Sequence, residues 1–167
     1  MLDIQPLLDR EAIRDCIHRY CRGVDRADEA ALRSAYWPDA TDNHGAYSGS
    51  ANGFIAFALE LLRVTEPGIH QIHNMLIDFR EGGALAETYF SAWQQLPSSE
   101  GFRWSHLKGR YVDWFEKREG EWRVKERRVV FDWMENAAGP LPGPQQSDDE
   151  RLIGKHFPDD PIYRKTP

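Results

Sequence analysis

The order of hydrophobic patterns predicts an α+β domain in which three helices precede four long, mainly antiparallel strands. Three observations carry this. Apolar residues at Ile13, Cys16, Ile17, Tyr20, Cys21 and Val24 recur at helical spacing. Pro67-Gly68 then ends the helical region. Beyond that break, β-branched and aromatic residues dominate as far as Trp133. Helices first and strands afterwards is the α+β order, not the strand–helix alternation of a dinucleotide-binding domain.

Element by element, the first helix runs over Asp9–Val24, and Gly23 weakens its last turn. Asp28 is the natural N-cap of a second helix, whose buried face is Ala31, Leu32 and Ala35 and which Pro38 stops. The stretch DATDNHGAYSG reads as two short extended pieces around Gly45. Ser50 caps a third helix with Phe54, Phe57, Ala58 and Leu61 on one side. Strands follow at Ile69–Phe79, Ala84–Gln95, Phe102–Lys117 and Glu121–Trp133, and short connections between them imply a meander.

The length fits one domain with a sizeable core over residues 1–135. Residues 136–167 form a tail rich in proline, glycine and charge. Its Leu152, Ile153, Phe157, Ile162 and Tyr163 are expected to pack on the domain or on a partner subunit. The net charge of −6 argues against a nucleic-acid partner, which needs a basic patch. No run approaches the ~18 apolar residues of a membrane span, and the N-terminus lacks signal-peptide order, so the cytoplasm is the expected compartment. Cys16 and Cys21 are five apart on a helix and read as core thiols, neither a disulfide nor half of a zinc site. Phosphate-loop, nucleophile-elbow and HExxH motifs are absent from the sequence, and nothing in it suggests a cofactor or metal.

Chemistry centres on PGIHQIHNMLIDF. On a helix, His70 and His73 would share a face and suit a metal. After Pro67-Gly68, in a run of apolar residues, the segment reads as a strand, and residues three apart then point to opposite faces. One metal ion cannot hold both. Strand alternation places His70, Ile72, Asn74, Leu76 and Asp78 together. Of the two aspartates in GVDRAD, Asp28 has a capping task and Asp25 has none, which leaves Asp25 free to orient a histidine. In TDNHG, Asp42 and His44 share a face if the piece is extended, and the carboxylate would fix the histidine's tautomer. The alternative is an exposed turn.

Three stretches in this order resemble the SnoaL-like branch of the nuclear transport factor 2-like superfamily. They are IRDCIHRYCRGVDRADEAALRSAYWPDA, DNHGAYSGS and LKGRYVDWFEKREGEWRVKERRVVFDW. The resemblance implies a cone: a strongly bent antiparallel sheet packed against three N-terminal helices, with an apolar pocket at its mouth. It also implies homo-oligomers, dimers or trimers, and a shortlist of activities. These are dehydratases and other lyases, isomerases and cyclases that move protons without a cofactor, besides non-catalytic assembly subunits. Compared without gaps to scytalone dehydratase, the catalytic histidine of that family falls on His70 and its functional aspartate on Asp25. The neighbouring tyrosine of that enzyme is Val24 here, and another is roughly Asn43, so the constellation differs.

The expected catalytic set is therefore His70, Asp25, His44, Asp42 and Tyr20, with Tyr20 alternatively a core residue whose hydroxyl bonds to backbone. Substrate contacts are expected from Arg110, Asn74, Tyr89 and Phe54. Arg110 has the alternative of ion pairing on the solvated sheet face. The leading expectation is a dehydratase or retro-aldol lyase acting on a hydrophobic, aromatic, hydroxylated small molecule. An isomerase or cyclase, and a ligand-binding subunit, are the competing readings.

Overall fold

The computed structural model describes residues 3–136 and 154–163. The elements are α1 (Gln5–Arg26), α2 (Glu29–Ala35), β1 (Tyr36–Asn43), β2 (Ser48–Ser50), α3 (Ala51–Leu62), β3 (Ile69–Arg80), β4 (Gly83–Ser98), β5 (Gly101–Arg118) and β6 (Glu121–Asn136). The α+β order holds. Among the described residues the sheet has six strands in the order β2-β1-β6-β5-β4-β3, and it is open. It is mixed and not purely antiparallel, because β1 runs parallel to β6. The short piece before Gly45 lies beside β6, the last of the described strands, a pairing that no local pattern announces.

The expected stripe on α1 is buried from Ile13 to Val24. The helix begins earlier than its stripe, at Gln5, with Pro6 in the first turn, where a missing N–H costs nothing. Asp28 caps α2 by accepting from the Ala31 N–H at 3.0 Å. Ser50 caps α3 through the Gly53 N–H at 3.1 Å. Gly23 does more than weaken a turn: a Cβ there would lie 2.5 Å from Leu32 Cγ, so glycine lets α1 and α2 pack closely. Pro38 does not stop α2. The helix ends at Ala35 because Tyr36 already pairs with Val124 in β6, and Pro38 sits within β1.

Bulges bend the long strands. Register shifts fall between Ile72 and Met75 in β3, between Lys108 and Gly109, and between Trp114 and Phe115. At Gly109 a Cβ would meet the Val130 carbonyl at 2.1 Å, so the bend needs a residue without a side chain. The bulge in β3 changes which residues face inward. Met75, Ile77 and Phe79 turn toward the core, while Asn74 and Leu76 point to solvent. The single face expected for His70, Ile72, Asn74, Leu76 and Asp78 therefore ends at Ile72.

Part of the expected tail, residues 154–163, lies against the end of α1. Phe157 N–H donates to the Arg26 carbonyl at 2.6 Å, and Arg26 Nε stands 3.3 Å from Asp160. These anchors are polar, and Phe157 and Ile162 are exposed. Leu152 and Ile153 lie outside the described residues.

Inside the core, Arg127 on β6 donates bidentately to Asp113 on β5, Nε to Oδ1 at 2.8 Å and Nη2 to Oδ2 at 2.7 Å. Both side chains are fully buried. Burial disfavours each charge, and the mutual pairing compensates. The guanidinium also lies over the rings of both Tyr20 and Tyr111, 4.0 and 4.3 Å from their centroids. Asp113→Ala leaves that cation buried without its counter-charge and is expected to cost about 3–5 kcal/mol. Urea unfolding midpoints measure the loss.

Candidate active site

A cavity of about 330 Å³ opens between the helices and the concave face of the sheet. The face of α3 expected from the sequence, Phe54, Phe57, Ala58 and Leu61, forms one wall. Phe90 on β4, Leu107 and Tyr111 on β5 and Phe131 on β6 form the other. Its polar lining consists of Tyr20, His44, His70, Gln94 and Tyr111, and the described lining residues include no Asp, Glu, Lys or Arg. Such a surface favours an uncharged, flat, largely apolar ligand.

His70 enters at the start of β3. Its ring Nδ1 lies 2.5 Å from Asp25 Oδ1, and its backbone N–H donates to Asp25 Oδ2 at 2.9 Å. A carboxylate only accepts, so in the neutral imidazole Nδ1 carries the proton and the lone pair is on Nε2. His70 lines the cavity and Asp25 does not, so Nε2 is the ring nitrogen left available to the cavity. The His70 side chain is 8 % exposed.

The second histidine comes from the turn after β1. His44 Nδ1 is 2.9 Å from Asp42 Oδ1, and Tyr36 Oη donates to Asp42 Oδ2 at 2.6 Å. Tyr20 Oη lies 3.4 Å from His44 Nε2, so its partner is this side chain and not backbone. Burial raises the pKa of Tyr20 and Tyr36 far above the ordinary phenol value, and both remain O–H donors. Arg127 Nη1 reaches Tyr36 Oη at 3.3 Å and joins this chain of bonds to the buried ion pair. The His44 ring stacks on Phe54, centroids 4.4 Å apart. Two aspartate-oriented histidines thus face one cavity with Tyr20 between them, 6.5 Å from each ring.

The structure brings together Tyr20, Asp25, Asp42, His44, Phe54 and His70. It does not bring Arg110, Tyr89 or Asn74. Arg110 pairs with Glu87 and Asp132 on the outer sheet face, at 2.8 and 2.9 Å, and lies over the Tyr89 ring. Strand alternation puts both on that side, where acids outnumber it. Asn74 is exposed because of the β3 bulge. His73 bonds to Ser91, its Nε2 2.9 Å from Oγ. Sequence reasoning passes over Tyr36 and Gln94, and it sets Arg110 and Tyr111 on opposite strand faces but follows only Arg110 toward the site. Of that pair it is Tyr111 that faces the cavity, and Arg110 that faces outward. Among the described residues, no cluster of three or more His, Cys, Asp or Glu is arranged to hold a metal ion.

Residues 5–128 match the model of the SnoaL-like domain, well over half of the chain and both aspartate–histidine pairs. The chain belongs to the SnoaL-like family. Solved structures share this fold. A type 2 hexachlorocyclohexane dehydrochlorinase, LinA, superposes with a TM-score of 0.76 at 23% identity, over 87% of this chain and 100% of that one. LinA type 3 from Novosphingobium barchaimii gives 0.71 at 22%, over 86% and 99%. A scytalone dehydratase-like protein from Novosphingobium aromaticivorans gives 0.68 at 18%, over 86% and 97%. No curated protein sequence matches the chain. The SnoaL-like scaffold accounts for the cone and its pocket. The chemistry rests on the side chains that line it.

The two tyrosines beside the His44 pair are both buried and separate by their hydrogen bonds, a short one to a carboxylate for Tyr36 and a long one to an imidazole for Tyr20. Tyr36→Phe strips a buried carboxylate of a donor and is expected to cost about 1–3 kcal/mol. Tyr20→Phe keeps its ring packing and loses one long bond at the cavity wall, a loss of about 1 kcal/mol or less. Paired denaturation curves test the difference.

Proposed function

We propose that this SnoaL-like protein is a cofactor-independent lyase that dehydrates a hydrophobic, aromatic, hydroxylated small molecule held in the cone. The single observation that carries the reading is the Asp25–His70 pair, with its Nε2 lone pair turned into a nearly apolar cavity. His70 Nε2 takes a proton from the carbon beside a carbonyl or at a benzylic position. The electron pair left behind forms the new double bond as the neighbouring C–O bond breaks. The departing oxygen, held by Tyr20 and His44, takes the proton back from the His70 imidazolium and leaves as water, which returns His70 to its starting state. Asp25 stabilises the imidazolium formed on His70. The same base serves a retro-aldol cleavage, in which it takes a hydroxyl proton, the C–C bond breaks to give a carbonyl and an enolate, and the imidazolium returns the proton to the enolate carbon.

Two kinds of support accompany the pair. The uncharged lining suits a neutral phenol or ketone, whereas a carboxylate would be desolvated without a counter-charge. Dehydrochlorination and dehydration, which name two of the structural neighbours, are both eliminations: a proton leaves one atom and a leaving group the next. Isomerisation or cyclisation is the second reading, favoured by His44 on the far side of Tyr20. A histidine there could return the proton at a different carbon of the same ring.

Screening hydroxylated aromatic compounds for loss of water identifies the substrate. His70→Ala is then expected to lower kcat by about 10²- to 10⁴-fold with the fold intact by circular dichroism. Near-normal turnover in a folded His70→Ala variant contradicts the assignment. Neutral substrates are expected to outperform their carboxylated analogues.

A further inference from the structure

We propose that Arg26 and Asp160 are positioning residues for the Asp25–His70 pair, which makes segment 154–163 a working part of the site. The inference rests on the reading of that pair given above. Arg26 follows Asp25 at the end of α1. Its Nη1 donates to the backbone carbonyl of Asp25 at 3.1 Å and to that of Gly68 at 3.2 Å. Gly68 lies two residues before His70, so one guanidinium fastens together the helix end and the strand start that carry the two halves of the pair. The entry to β3 is tightly seated there. A Cβ on Gly68 would stand 3.0 Å from the Trp93 carbonyl and 3.8 Å from Asp25 Oδ1.

Asp160 fixes the guanidinium from the other side, with Oδ2 3.3 Å from Arg26 Nε. Its carboxylate is itself fixed, accepting from the Lys155 and Ile162 amides at 2.8 and 3.0 Å. Burial alone would raise the Asp160 pKa, but those amides and Arg26 outweigh it and hold it below its ordinary value. A small cleft of about 220 Å³, lined by Arg22, Asp25, Arg26, Asp160 and Ile162, lies behind the Asp25 carboxylate. Arg26 and Asp25 line the same cleft, so an Arg26 released from Asp160 would be free to turn to the Asp25 carboxylate and compete with His70. An arginine is rich in rotamers, so an immobile anion is what keeps it on the two carbonyls. Misplacement of a reacting group by ~1 Å costs about 100-fold in rate, which makes such a clamp consequential.

The test uses the full chain without ligand. The His70 Nδ1–H hydrogen-bonded to Asp25 gives a low-field proton resonance, and its assignment is confirmed by its loss in Asp25→Asn. In Asp160→Ala and Arg26→Ala, with folding checked by circular dichroism, this resonance is expected to shift upfield or broaden. Arg26→Lys, which keeps a donor, is expected to restore it in part. Asp160→Asn gives the same readout should Asp160→Ala fail to fold. With a substrate in hand, kcat is expected to fall ~10- to 100-fold while KM changes little. An unmoved resonance in the folded Asp160 and Arg26 variants overturns the clamp and leaves the pair standing. Absence of the resonance in the unsubstituted chain overturns the pair itself, and the clamp with it.

Discussion

Asp25 accepts two hydrogen bonds from a single residue 45 positions later in the chain, one from the His70 backbone and one from its ring. That two-point grip joins the end of α1 to the beginning of β3, and the remaining features of the site depend on it. The backbone bond sets where the strand starts, and the ring bond sets which nitrogen faces the cavity. Charge-assisted bonds of this kind contribute about 1.5–3 kcal/mol each, against a desolvation cost of several kcal/mol for the carboxylate. The grip therefore adds little net stability. What it provides is orientation, and the nearly apolar cavity in front of it is where orientation matters.

The second aspartate–histidine pair is built differently. Asp25 is held between a histidine and a cleft lined by arginines, whereas Asp42 is held by a histidine and a buried phenol. Arg127 stands behind that phenol, but its charge is matched bidentately by Asp113. The two histidines thus have unequal surroundings although each has one carboxylate on Nδ1. Unequal surroundings are what a site needs when one group removes a proton and another handles the departing oxygen. Tyr20, packed under Arg127 and bonded to His44, joins the two halves.

Much of this was legible in the sequence, for reasons that can be traced. The α1 stripe and the caps at Asp28 and Ser50 are local, so periodicity and capping chemistry find them. Asp25 stood out because Asp28 already had a task. His70 and His73 were separated by strand alternation, and His44 was tied to Asp42 by the same rule. What escaped is non-local. The β3 bulge reverses alternation after Ile72 and turns Asn74 outward. The bulge at Trp114/Phe115 places Asp113 opposite Arg127, where an unbroken register counted from the turn would have set it opposite Glu126. Neither bulge has a local sequence signal. The parallel pairing of β1 with β6 depends on chain closure over more than eighty residues, and Tyr36 could not be joined to the network without it.

The orientation of His70 is the centre of the account, and its tautomer tests that orientation most directly. Nitrogen-15 NMR of the neutral imidazole distinguishes a proton on Nδ1 from one on Nε2. The account predicts the proton on Nδ1 in the unsubstituted chain, with Nε2 unprotonated and facing the cavity, and loss of that preference in Asp25→Asn. A proton on Nε2, or a His70 spectrum unchanged by Asp25→Asn, would contradict it.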